Sequence, residues 1–295
     1  MANRLEIETV EERWELIGQS PIGHLVEARL ELHHALQLVV SAAISYLPRV
    51  ADDSHTNLGW HEESRALLSH ELPAPGGAVR VGIRPVDLTL VVRDERNGSV
   101  QEVPLAGRTL ADAEHDLVQR LEALGLDGTR WVSDKHYTIP YHDVAAGARF
   151  AAVVGGAHAE LGRLFHNAHE LASAVAHETP GAATPRLWPH HFDLATLIVL
   201  PARDVRITRS IGVGVEPGDD SYAEPYVYVG PSPHPSARVL RPLGAGGHWH
   251  TDGWMGAVLT REEMHALDGD DARAQGMRAL RFVREAIEAS RLALA

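Results

Sequence analysis

The chain of 295 residues contains no cysteine. Disulfides, thiolate nucleophiles and cysteine-built zinc sites are excluded with it. No apolar run approaches the roughly 20 residues needed to span a bilayer. The first twenty residues are charged (Arg4, Glu6, Glu8, Glu11, Glu12, Arg13) and have no apolar signal core, so a cytoplasmic location is expected. Basic runs are short and the net charge is −13. That balance repels phosphate backbones and anionic membrane surfaces, so neither nucleic acid nor membrane is expected as a partner. Signature motifs are missing too. His61, His70, His169 and His177 each precede a glutamate but lack the second histidine of a His-Glu-x-x-His helix. There is no Gly-x-Ser-x-Gly elbow and no P-loop. Gly212-Val213-Gly214 lacks the third glycine of a dinucleotide fingerprint.

What is present is histidine, nineteen residues of it, in a chain that is 44% apolar and can build a substantial core. The patterning predicts an α+β fold. Leu25, Leu32, Ala35, Leu36, Val39, Val40 and Ile44 recur at helical spacing, so a helix is expected over 26–47, stopped by Pro48. Strands are expected over 60–72, 78–83, 88–93 and 100–105, the last two joined at Asn97-Gly98. Thr109 can cap a helix to Leu124. A long helix from Asp143 or Ala145 to about His177 follows. Further strands are expected over 191–200, 205–215, 222–229 and 248–259, and a closing amphipathic helix over 272–292. The reading is two mainly antiparallel sheets flanked by long helices. The chain 1–295 is read as one compact unit, in which 24–125 and 145–293 repeat one helix–sheet–helix order by duplication or by coincidence.

The densest polar cluster lies in the second half. In a strand, alternate side chains share a face, which would put His191 with Asp193, and His248 with His250 and Asp252. Glu224 falls beside Tyr222 and Tyr226. Imidazoles and carboxylates on facing strands suit a divalent metal (zinc, iron or manganese), with His191, His248 and His250 as ligands and Asp193, Glu224 and Tyr226 as catalytic groups. The same residues suit a metal-free acid–base site, or a structural cluster in which histidines satisfy carboxylates. The two functional versions predict a hydrolase or isomerase acting on a small molecule. The alternative is a binding module that uses Trp249, Trp254, Tyr226 and Tyr228 as contact area. Oligomeric state is open.

Glu31-Leu-His-His34 has the Glu-x-x-His spacing of carboxylate-bridged metal bundles, and His158, His166, His169 and His177 share a helical arc. Solvated helix faces are the simpler expectation for both. The polar stretches Asp52–Asn57, Asp134–Tyr137 and Tyr141–Asp143 are ordinary loops unless they line a pocket.

Several ordered pieces resemble the bacterial family known as domain of unknown function 5996. They are Asp53–Trp60, Leu88–Arg93, Ile139-Pro140-Tyr141, Trp188, His191–Ala195, Pro217-Gly218-Asp219, Glu224–Tyr228 and His248–Trp254. The resemblance runs from about residue 10 to near the end. It implies one continuous unit and carries no activity. Thr196–Leu200 departs from the Phe-Ser-Gly-Arg-like run common at that point in the family.

Overall fold

The computed structural model describes residues 9–152, 156–201 and 208–295. The fold is α+β, with two antiparallel sheets and long helices. The chain divides into two compact units, each discontinuous in sequence. The amino unit holds Ser20–Gly162 and Arg186–Asp193, and the carboxy unit holds Met1–Gln19, Arg163–Pro185 and Leu194–Ala295. No helix among the described residues is long and apolar enough to cross a membrane.

After the four-residue α1 (Val10–Arg13), α2 (Ile22–Tyr46) forms the spine of the amino unit. It is buried on nearly every side, because apolar and alanine residues occupy all its faces rather than one stripe. Its polar residues are buried with it: Glu31, His33, His34 and Gln37 all lie inside, not on a solvated face. The six-stranded sheet comprises β1 (Gly59–His61), β2 (Ala66–Leu68), β3 (Leu72–Ala74), β4 (Gly77–Arg84), β5 (Thr89–Asp94) and β6 (Ser99–Pro104). Val81 faces Val92, and Leu90 is paired with both Ile83 and Val103, so β-branched and leucine side chains stack across the central strands. The single strand expected over 60–72 is three short ones, because a turn at 62–65 puts Arg65 in the left-handed region at φ 51.

Helix α3 (Leu110–Ala123) begins where its cap predicts, with Thr109 Oγ1 accepting from the Asp112 amide at 3.1 Å. The long helix α4 (Ala157–Glu178) starts later than expected. Residues Asp143–Ala146 form only a short 3-10 turn, capped by His142, whose Nδ1 accepts from the Val144 amide. The Ala151 amide is then drawn to Glu31 Oε1 at 2.7 Å. Residues 153–155, inside the expected helix, lie outside the described set. Among its histidines, His158 and His166 are buried, so the expected solvated arc holds only in part.

Strand β7 (Arg186–Trp188) belongs to the amino unit, where Leu187 and Leu58 exchange backbone hydrogen bonds of 2.8 and 3.0 Å. The second sheet runs β11-β12-β10-β9-β8, through β8 (Asp193–Val199), β9 (Ser210–Glu216), β10 (Tyr226–Ser232), β11 (His248–His250) and β12 (Gly256–Thr260). Part of the strand expected at 205–215 falls on residues 202–207, outside the described set. Residues 248–259 form a hairpin rather than one strand, with His248 opposite Val258 and His250 opposite Gly256. Helices α5 (Arg261–Asp268) and α6 (Ala272–Ala293) close the chain. The buried Gln275 ties α6 to the amino-terminal segment: its carboxamide accepts from the Ile17 amide and donates to the Ile17 carbonyl.

Candidate functional site

Of the residues singled out from sequence, His248 and His250 are brought together in the carboxy unit. They are two apart on β11 and so share a face. Both converge on the hydroxyl of Tyr222, which lies 2.8 Å from His248 Nε2 and 2.9 Å from His250 Nδ1. The outer nitrogens are engaged as well. His248 Nδ1 donates to Glu263 Oε1 at 3.0 Å, and His250 Nε2 donates to the Asp252 carbonyl at 2.6 Å. Asp252 therefore contributes its backbone, not its carboxylate. The turn at 252–254 takes it off the strand face on which alternation had placed it.

Each partner is held by local features. Asp219 Oδ1 accepts from the amides of Ser221 and Tyr222, both at 2.8 Å, and Oδ2 accepts from the Tyr226 hydroxyl at 2.8 Å. This turn is why the expected strand at 222–229 begins only at Tyr226, and it fixes Tyr222 over β11. Glu263 belongs to a capping box. Thr260 Oγ1 accepts from the Glu263 amide, Glu263 Oε2 accepts from the Thr260 amide, and Oε1 is left for His248. Trp254 stacks on the His250 ring at 4.4 Å and 23°. Opposite His250 stands Gly256, where a Cβ would lie 2.5 Å from the Trp254 ring, so glycine makes the room that the indole fills.

The hydrogen count of this row decides its chemistry. Four hydrogen bonds join Glu263, His248, Tyr222, His250 and the Asp252 carbonyl. Filling all four takes one hydrogen in each. Two neutral imidazoles and a neutral phenol supply three, since the carboxylate and the carbonyl only accept. With the outer positions filled, both inner nitrogens present lone pairs to an oxygen that can donate to only one of them. The row has a place for one more proton, or for a cation. Burial and the nearby carboxylates of Glu263 and Asp219 push the Tyr222 hydroxyl pKa up, so the phenol keeps its proton at neutral pH.

Of the other expected site residues, Tyr226 packs against the row, with its ring centroid 5.0 Å from that of Tyr222. Glu224 Oε2 accepts from the Glu262 amide at 2.7 Å, at the start of α5, and burial raises its pKa. Tyr226 is buried and positions Asp219. Asp193 is buried at the head of β8 and is assigned to the amino unit. His191 is also in the amino unit and is exposed. It does not lie on the strand: residues 189–192 form a turn in which the His191 and Phe192 amides both donate to the Trp188 carbonyl. Strand alternation consequently does not relate His191 to Asp193. His190, the half-buried neighbour, faces Tyr137 with ring centroids 5.7 Å apart.

Two of the polar loops do line a pocket in the amino unit. Asp53, His55 and Thr56 meet Asp134, Lys135 and His136 around a cleft of about 290 Å3, and His136 Nε2 lies 2.9 Å from Asp53 Oδ2. Sequence reasoning placed Tyr222 only as a neighbour of Glu224 and passed over Glu263. The Thr260-x-x-Glu263 box is a readable signal for the latter. Comparison with family models, curated proteins and solved structures returns no match for this chain.

Proposed function

We propose that the chain is a small-molecule enzyme of hydrolase or isomerase type, with Tyr222 as its proton-transfer group between His248 and His250. The observation that carries this reading is the convergence of two imidazole nitrogens on one phenol oxygen, 2.8 and 2.9 Å away, in a row one hydrogen short of full. A phenol flanked in this way passes a proton to or from a bound substrate with little rearrangement, because the imidazoles can take up or return the charge. Tyr222 is half-buried and His248 is exposed, so a ligand can reach the row from solvent.

A divalent metal held by His248 Nε2 and His250 Nδ1 is the second reading. The outer N–H groups favour it: one donates to a carboxylate and the other to a backbone carbonyl, the partners that orient metal-bound imidazoles. Bound there, a metal would activate water or polarise a carbonyl.

One set of measurements separates these. Elemental analysis of the untagged protein, before and after chelation, is compared with the His248→Ala/His250→Ala double variant. Ester hydrolysis and exchange of carbon-bound protons beside carbonyls are screened on the same samples. The proton reading expects activity that survives chelation and drops about 10²–10⁴-fold in Tyr222→Phe, the usual range for a lost general acid or base. Near-stoichiometric zinc, iron or manganese, absent from the double variant, supports the metal. Activity indifferent to Tyr222→Phe, to the double variant and to chelation would remove the row from the chemistry.

A further inference from the structure

Lys135 is the only lysine in the chain; every other side-chain cation of the Lys/Arg set is arginine. It lies in the amino unit, in the loop after α3, and lines the cleft with Arg49, Asp53, His55, Asp134 and His136. Its amine is not paired with a carboxylate among the described residues. Nζ donates to Ser41 Oγ at 2.8 Å and to the Ser133 carbonyl at 2.6 Å. Ser41 is buried on α2 and spends its own hydrogen on the Gln37 carbonyl, so its oxygen faces Lys135 as an acceptor.

Two acceptors match the neutral amine. An NH2 group has two hydrogens and one lone pair; both hydrogens are placed here and the lone pair is not. Neither acceptor carries a charge, so no carboxylate in contact holds the amine as an ammonium among the described residues. Burial acts in the same direction and depresses the lysine to about 8, against the weaker pull of Glu114 and Asp134. Arg49 stands at the same cleft, exposed and with no hydrogen-bond or ion-pair partner among the described residues.

We propose that Lys135 is a nucleophilic amine that captures a small 2-oxo acid in this cleft as a Schiff base, with Arg49 receiving the carboxylate. The amine lone pair attacks the carbonyl carbon and the C–N bond forms. The oxygen then leaves as water with the two hydrogens that the amine gives up, so no oxidant or reductant is consumed. His136, held on Asp53 at 2.9 Å, lines the cleft and can pass one of those protons to the departing oxygen. An amine with a pKa lowered by burial is the form that Schiff-base lysines need near neutral pH. This chemistry uses none of the residues of the Tyr222 row.

The chain supplies its own control, because apart from Lys135 its amino terminus is the one other primary amine in the sequence. The protein is incubated with pyruvate, and separately with propanal, then reduced with borohydride, digested and read by mass spectrometry. The expected result is one reduced pyruvate adduct on the Lys135 peptide. Its yield should fall about tenfold for each pH unit below 8, as the neutral amine is lost. Arg49→Gln should lower the pyruvate adduct several-fold while leaving the propanal adduct unchanged. Lys135→Arg, which keeps the cation, should remove both. Competitive acetylation of the wild type measures the amine directly, whether or not the arginine variant folds. The proposal is overturned if pyruvate leaves Lys135 unmodified while labelling the amino terminus, if acetylation shows an ordinary lysine, or if Arg49→Gln affects both carbonyl probes alike.

Discussion

Acidification from pH 7 to pH 4 is expected to remove as much as roughly 3 kcal/mol of stability through His33, and a similar amount through His158. Both side chains are buried in the amino unit. His33 donates from Nε2 to the Pro189 carbonyl at 2.8 Å and stacks on Phe192 at 4.4 Å and 6°. Burial, chiefly, pushes it down to about 4 from the ordinary 6.5. His158 is pushed to about 4 by the same cause, against a smaller opposing pull from Asp87, and its Nε2 is buried without a hydrogen-bond partner among the described residues. In both cases the folded pKa lies below the unfolded one. Between about 6.5 and 4 the unfolded chain binds more protons, so stability is complete above that window and drains away as pH falls through it. Glu31, 3.8 Å from His158, acts in the opposite sense: burial raises its pKa, so its protonation returns part of the loss at the acid end.

Urea unfolding at pH 7.5, 6 and 5 measures the slope. His33→Phe keeps the stacked ring without its titration, and Gln37 still donates to the Pro189 carbonyl at 3.3 Å. That variant should unfold with a visibly shallower pH dependence. A wild-type free energy that stays flat from pH 7.5 to 5 would show that these histidines titrate in the folded protein as they do in the unfolded one.

Gly247→Ala should destabilise the carboxy unit by roughly 2–4 kcal/mol, combining overpacking with a left-handed backbone. Gly247 has φ 75, and a Cβ there would lie 2.3 Å from the Val258 carbonyl oxygen and 2.8 Å from the Phe282 ring. The first obstacle is backbone in the paired strand and cannot rotate away. Gly253 is the comparison. Its φ is 77 but nothing lies within 4 Å, so Gly253→Ala should cost only the backbone strain, about 1 kcal/mol. The difference between the two, read from unfolding midpoints, isolates the clash. Because Gly247 precedes His248, its substitution should also disturb the Tyr222 row. Equal costs at the two positions would mean that β11 and β12 are not held as closely as described.

Most of the elements were legible from sequence because their signals are local. Thr109 announced α3, Asn97-Gly98 announced the β5–β6 hairpin, and the alternating valines and leucines gave the strands of the first sheet. What failed was continuity. The runs at 60–72 and 248–259 have the composition of single strands, yet each folds back on itself at a residue with positive φ, Arg65 and Gly253. The pairing of His248 with His250 followed from a period of two and survived. That of His191 with Asp193 assumed a strand that begins only at Asp193. Tyr222 could not be placed by periodicity at all, since Asp219 holds it in a turn. His33 and His34 of α2 were expected in solvent because they are polar. They are inside because the apolar residues around them leave no exposed face, and the carbonyls of Pro140 and Pro189 satisfy their rings.

The indole of Trp254 rests face to face on His250. Stacked imidazole quenches indole emission, and does so more strongly when it is protonated. Trp254 is thus a fluorophore built into the Tyr222 row, and replacing it with phenylalanine among the six tryptophans would isolate its share of the spectrum. Any proton, metal or ligand that arrives at His250 should be readable as light, without knowledge of the reaction.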